Sequence, residues 1–411
     1  MNISQQFAPP FRLIAPFFII SMLIYAFSVA LMFGFNPSLL HTNNLEVLGF
    51  VHLFLLGFMM MSIFGAMAQL VPVVLEVEHF AVELYYIIYP LLFIGSVLMA
   101  IGFYSYPLLL SFGGLVALIA FVIFMFETFM TLKGVKKLNF VSTTVLFANI
   151  FLLFGIIVGF VMALAYGGFV TIDIDSWLKV HMFLVLFGYV GFTIMGLSYI
   201  LIPMFWLSHS FDTLYLKVAL WSLGLSIVMV LFGEMFNIGF LSFLSNITLF
   251  IAFCFYIYEL YLIYKTRARM QKDIYYKYMI YFGFAFILSL LIIGLYLFTQ
   301  SNKLLVVFGF IVFFGVITPL IVGHLYKIIP FLVWFERFSP LVGKQKVPML
   351  VDMVPERSAH FAYTFHLVAF VMILIALFFE LDMIFSAGVS FMVFGAIFML
   401  KDIIYMMRYK E

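Results

Sequence analysis

Twelve runs of about twenty apolar residues dominate this chain, and a helix needs a run of that length to cross a hydrocarbon core of roughly 30 Å. They fall at about 13–33, 46–71, 84–104, 109–132, 142–166, 179–205, 214–235, 240–264, 277–299, 304–329, 360–380 and 384–406. Several joints are very short, such as Ser105–Leu108 and Asn237–Gly239, so neighbouring helices must run antiparallel. Soluble domains are excluded by composition: apolar types make up 67% of the 411 residues and charged types 9%, against roughly 45–50% and 25% in soluble proteins. The sequence predicts an all-α integral membrane protein with about 12 transmembrane helices in one polytopic domain, residues 1–411. Arg12 precedes an apolar stretch with no small-residue cleavage site, so the first run reads as a retained span rather than a signal peptide.

The charges orient the bundle. With the N-terminus inside, eighteen of the twenty Lys and Arg fall on that side, and only Lys179 and Lys303 on the other. Positive residues collect on the cytoplasmic side, so both termini are expected there, in a prokaryotic cytoplasmic (inner) membrane. The formal charge is +2 and no basic cluster lies outside the membrane-flanking loops, which argues against a nucleic-acid partner and leaves the lipid bilayer as the first one. A single cysteine, Cys254, excludes disulfide frameworks, cysteine-based zinc sites and iron–sulfur clusters. The longest stretch outside the spans, 330–359, carries Phe331, Trp334, Phe335 and Phe338 beside Glu336 and Arg337. It reads either as an interfacial segment with aromatics at headgroup level or as a docking surface for a partner subunit.

Three inward-running spans end alike: Gly65 to Pro72 in span two, Gly196 to Pro203 in span six and Gly323 to Pro330 in span ten, each Gly, six residues, Pro. The intervals are 131 and 127 residues, or four helices each. Proline is expected to close each helix, since it lacks the N–H and clashes with the preceding turn; glycine admits a neighbouring backbone or a flat ligand. The chain thus reads as three four-helix units, at about 1–138, 139–272 and 273–411.

Histidine marks two of the three spans. Span two carries Val51-His52-Leu-Phe-Leu and span six Val180-His181-Met-Phe-Leu, with His52 and His181 lying 20 and 22 residues before their prolines. At 1.5 Å per residue both imidazoles sit about 30 Å above that end, near the outer face. Span ten has Phe308 and Phe310 at the equivalent positions. Ionisable residues in a membrane are costly and invite a functional hypothesis, set here against a hydrogen-bonded neutral histidine near the interface. His324 lies only about 9 Å from the inner end and cannot share an iron with either. With His366, near His360 at the start of span eleven, His324 forms the pair from which a second, metal site is conceivable. His41, His79 and His209 read as solvated. Glu127 and Glu259, near the inner ends of spans four and eight, read as partners of loop Lys or Arg, or else as proton-relay carboxylates. No phosphate-cradling glycine loop and no HExxH motif is present.

Twelve spans in three four-helix units, with a histidine at the outer end of span two, resemble subunit I of the haem–copper oxidases. A closer resemblance is to NnrS-type proteins associated with nitric-oxide metabolism, whose span-two pattern reads here as His52, Gly57, Gly65 and Val71-Pro72. The resemblance implies haem b as cofactor, and a respiratory or redox membrane protein as a further partner. It also brings copper into view, but this chain departs from the oxidase pattern. No His-x-His stands near Phe308 and Phe310, no adjacent His pair occurs anywhere, and no histidine lies between His209 and His324. An oxygen- or nitric-oxide-reducing enzyme of the standard design is therefore not expected.

Two functional readings follow. The first is a haem-b-binding non-oxidase relative with His52 and His181 as axial ligands. Two imidazoles on one iron would suit electron transfer or sensing, and a single ligand would leave an open position for nitric oxide or another small gas. The second is a haem-free transporter, or an assembly factor for a respiratory complex, since repeated units with glycine- and proline-interrupted helices also occur in transporters.

Overall fold

The computed structural model describes residue 7 and residues 9–209 and 213–410; the outermost ends of the expected domain lie outside these. Twelve helices are long and apolar enough to cross a membrane: Phe11–Gly34, Leu45–Leu75, Val82–Tyr104, Pro107–Leu132, Phe140–Tyr166, Ile174–Trp206, Leu214–Met235, Gly239–Lys265, Ile274–Thr299, Asn302–Arg337, Glu356–Phe379 and Asp382–Met407. These are spans one to twelve below. No β-strand is formed among the described residues, where the one extended pairing is an isolated bridge between Ser208 and Arg267. A multi-pass membrane protein is the outcome, as lipid requires: a backbone that cannot bond to water must bond to itself, and a helix does so within one segment.

The chain divides into two compact units. One is built mainly of Leu70–Leu98 and Tyr106–Met270, the other of Pro9–Gln69, Met99–Ser105 and Gln271–Glu411. In the first unit spans seven and eight form the most extensive pair, and span five packs on spans four and six. In the second, spans eleven and twelve pair, span one lies on span twelve, and span nine lies on span ten.

Spans two, six and ten are the three longest, at 31, 33 and 36 residues. Each contains a wide π turn, Leu53–Met60, Phe183–Gly191 and Ile311–Ile317. The π turn closes at Met60, Gly191 and Ile317, and the proline follows 12, 12 and 13 residues later. A π turn carries an extra residue and shifts the bonding from i−4 to i−5, so carbonyls along it are turned sideways.

The conserved spacing of glycine to proline in these spans is a packing device. A Cβ at Gly65 would lie 2.7 Å from Phe17 Cβ, one at Gly196 2.5 Å from Thr144 Cγ2, and one at Gly323 2.9 Å from Tyr278 Cβ. In each case the neighbour is the preceding span: one, five or nine. A second glycine stands eight residues earlier, at Gly57, Gly188 and Gly315, inside the π turn. For two of these the preceding span is again in contact, since a Cβ at Gly188 or Gly315 would come within 2.7 Å of Phe151 or Ala285. At these positions glycine admits close approach of the preceding span.

The prolines do not close their helices, contrary to expectation. Spans two and six run on to Leu75 and Trp206. Each then stops at a left-handed residue, Glu76 at φ 55° and Leu207 at φ 52°, four positions past the proline. The next N–H donates to the proline carbonyl, Val77 to Pro72 at 3.1 Å and Ser208 to Pro203 at 2.9 Å. Proline forfeits only one backbone bond, which a membrane helix tolerates when neighbours re-satisfy the freed carbonyl. Span ten runs on further, to Arg337, so the expected loop 330–359 is shorter than its sequence implied. Phe331, Trp334 and Phe335 ride on this helical extension, and Trp334 Nε1 donates to Pro348 O at 2.8 Å.

The two lysines that depart from the basic bias are each paired with an acid. Lys179 at the start of span six lies 3.3 Å from Glu234 near the end of span seven, and Lys303 at the start of span ten lies 2.7 Å from Glu380 just past span eleven.

The glycine contact yields a direct test. Gly196→Ala should cost about 1–3 kcal/mol by overpacking, read from denaturant unfolding of the detergent-solubilised protein. Adding Thr144→Ala, which removes the nearest methyl, should restore part of the loss.

Candidate functional site

His52 and His181, near the starts of spans two and six, belong to separate units, His52 to the second and His181 to the first. His52 closes the α-helical stretch that enters the π turn of span two, and its Nδ1–H donates to the Leu48 carbonyl one turn earlier at 2.8 Å. Its ring lies 4.9 Å from that of Phe103. His181 stands two residues before the π turn of span six, and its Nδ1–H reaches across to span five, donating to Gly155 O at 2.9 Å. The ring lies in a notch there: a Cβ at Gly159 would come within 2.5 Å of His181 Cε1. A carbonyl can only accept, so both rings carry the proton on Nδ1 and present Nε2 as the lone-pair nitrogen. That donor chemistry fits a metal ion or a haem iron, whose histidine ligands are usually tied in this way through the second nitrogen. The bond to the carbonyl one turn back is common, however. His324 makes it to Leu320 at 2.7 Å and His360 to Glu356 at 2.8 Å. His181 is tied instead to a carbonyl of another helix.

Where the oxidase pattern would have histidines on span ten, aromatic rings close the interior of the second unit. Phe54 of span two stacks on Phe313 of span ten at 4.9 Å and 12°, and Phe50 lies 6.3 Å from Phe314. Phe310 stacks on Phe370 of span eleven at 5.4 Å and 15°. Phe54, Phe58 and Phe314 are at most 1% exposed. This face is packed by side chains and does not fit a porphyrin.

His324 and His366 have separate neighbours. The His324 ring meets Tyr275 edge-on at 5.3 Å. His366 is fully buried in span eleven, and its Nε2–H donates to Phe314 O at 2.8 Å. Its Nδ1 is then an acceptor and takes the Tyr25 hydroxyl at 3.1 Å. Both ring nitrogens are thus engaged. The reason lies in the π turn of span ten: Phe314 O, turned sideways, also accepts from Tyr281 at 3.0 Å, and Phe313 O accepts from Thr318 Oγ1 at 2.8 Å. No three His, Cys, Asp or Glu side chains gather at a metal-binding spacing among the described residues.

His79 is a correction to the sequence reading. It is not solvated: its side chain is 5% exposed, and Nδ1 lies 2.7 Å from Oε1 of Glu127, itself 1% exposed. Glu127 pairs with this histidine, where a loop lysine or arginine was expected. Thr131 donates to the same oxygen at 2.7 Å, and Tyr85 donates to Oε2 at 3.2 Å. Thr131 Oγ1 also takes the Phe80 N–H at 3.0 Å, which binds the 76–81 connection onto span four. Neither His79 nor Tyr85 could be assigned to Glu127 from sequence, since 48 and 42 residues separate them and no local motif joins them. His41 and His209 are exposed, as expected.

No family model matches this chain, and no curated protein matches it.

The buried pair has a measurable signature. His79→Ala leaves Glu127 without its ring partner and should cost about 3–5 kcal/mol. Adding Glu127→Gln should recover part of that, because a neutral amide needs no counter-charge. Unfolding of the four proteins of this double-mutant cycle in detergent measures the coupling.

Proposed function

We propose that this is a haem-b-binding membrane protein, related in build to subunit I of the respiratory oxidases but without its copper and high-spin haem ligands. It works in electron transfer or in handling nitric oxide or another small gas. The observation that carries this reading is His181. Its ring is oriented by a carbonyl of another helix and seated in the Gly155–Gly159 notch, with Nε2 as the coordinating nitrogen. His52, with the same tautomer, is the second ligand candidate. A haem bound there supplies a redox-active iron. The chain's own part is to hold each imidazole in one tautomer and one plane. The phenylalanine-filled face between spans two and ten takes no part.

The common build of spans two, six and ten supports three four-helix units at about 1–138, 139–272 and 273–411. The eighteen-to-two division of basic residues supports cytoplasmic termini in a prokaryotic inner membrane. Another respiratory or redox membrane protein is the partner this reading implies. A second reading is a haem-free transporter or an assembly factor for a respiratory complex; Glu127, buried within span four and paired with His79 of the adjoining connection, favours the transporter, because ionisable residues in membrane spans commonly mark proton or substrate pathways.

A visible spectrum of the purified protein, oxidised and dithionite-reduced, tests both. The first reading expects sharp reduced α and β bands, lost in His181→Ala. Their further loss in His52→Ala assigns two histidine ligands; persistence there, with a shift on adding nitric oxide, assigns one ligand and an open position. A protein that stays colourless after expression with added haem overturns the first reading in favour of the second.

A further inference from the structure

Asp402 is a buried acid that neither reading uses. It lies near the end of span twelve, on the side where the basic residues collect, and is 0% exposed, although its neighbour Lys401 is exposed. Successive helix residues point about 100° apart, so Lys401 faces outward with its Nζ 5.7 Å from the Phe398 ring centre while Asp402 turns into the second unit. Oδ2 accepts from Tyr326 of span ten at 2.7 Å. Oδ1 has no hydrogen-bond partner, and neither has the hydroxyl of Tyr278 of span nine. The Tyr278 ring stacks near-parallel on that of Tyr326 at 5.9 Å. Ser358 of span eleven adjoins the same carboxyl. Among the described residues no basic side chain forms an ion pair with Asp402. One tyrosine hydroxyl does not offset the desolvation of a bare carboxylate, which costs several kcal/mol even after relaxation.

A surface depression lies beside it. A groove of about 500 Å³, lined by Glu356, Arg357, Ser358, Phe361, Phe398 and Lys401, opens at the start of span eleven. Its floor includes Ser358, the residue that adjoins the Asp402 carboxyl.

We propose that Asp402 is a proton-binding site, loaded from water on the basic face through the Ser358 groove and held by the hydroxyl of Tyr326. In the loading step hydronium in the groove gives its proton to Oδ1 and leaves as water, and the carboxylate becomes a neutral carboxyl. The proton stays on Asp402, where the Tyr326 hydroxyl holds the other carboxyl oxygen. The proposal needs no haem and stands whichever functional reading holds.

Infrared difference spectroscopy of the full-length protein in lipid nanodiscs is the test. As pH is lowered from about 8 to 5 the wild type should develop the carbonyl stretch of a protonated carboxyl, absent from Asp402→Asn. It should shift promptly on transfer to D2O, and Ser358→Leu, which fills the groove, should slow that shift several-fold. Only carboxylate bands in the wild-type-minus-Asn spectrum at every pH would overturn the proposal. So would a carboxyl band that fails to exchange, or one whose exchange Ser358→Leu leaves unchanged. Should Asp402→Asn not fold, Tyr326→Phe serves instead. Loss of its hydrogen bond must move the band, and an unmoved band belongs to another acid and sinks the assignment.

Discussion

Lipid offers no hydrogen bonds, and the rest of this structure depends on that. Every backbone group inside the hydrocarbon must find a partner in the protein, so the chain is helical throughout its spans. Where a helix departs from regular α geometry, side chains must answer. Span ten is the clearest instance. Its π turn directs the Phe313 and Phe314 carbonyls sideways, and Thr318, Tyr281 and His366 bond to them. His366 looked like a ligand because an imidazole inside a membrane is expensive. Here the expense is met by a backbone carbonyl on one nitrogen and a tyrosine hydroxyl on the other.

The same constraint explains why spans two, six and ten are built alike. Without a hydrophobic force between helices, close packing holds them together, and glycine permits the closest approach. Each of these spans sets a glycine against the span before it, seven residues ahead of a proline and in register with a π turn. The prolines, tolerated within the helix, precede its end by one turn in spans two and six. Chemistry then varies on a constant frame: His52 and His181 on two of the spans, phenylalanines on the third.

Electrostatics is handled by pairing. The two lysines opposite the basic face each meet a glutamate at the end of the following span. Glu127 meets His79, Thr131 and Tyr85. Lys327 within span ten meets Asp273 at 2.6 Å. Asp402 stands apart in having a tyrosine and no cation, and this sets it aside as a candidate for proton exchange rather than for structure.

Much of the architecture was legible in the sequence because hydrophobic length and charge placement are local quantities. Twelve spans, their approximate limits and the Gly-x6-Pro pattern all follow from reading along the chain. Partners were not legible, because they come from distant segments. His79 sits in what looked like a solvated loop, yet Glu127 lies 48 residues away; Asp402 sits beside a lysine at a span end, yet Tyr326 lies 76 residues away. Tyr25 and Tyr281 carry no signal at all among 23 tyrosines. The sequence by itself determined that this chain lives in a bilayer as a bundle of long helices, since unbroken apolar runs of about twenty residues match a helix across the core, whereas a barrel strand needs only about 9–11. Only the tertiary structure decided which polar groups meet, because a hydrogen bond depends on ångström-scale approach between segments whose separation along the chain says nothing of their distance in space.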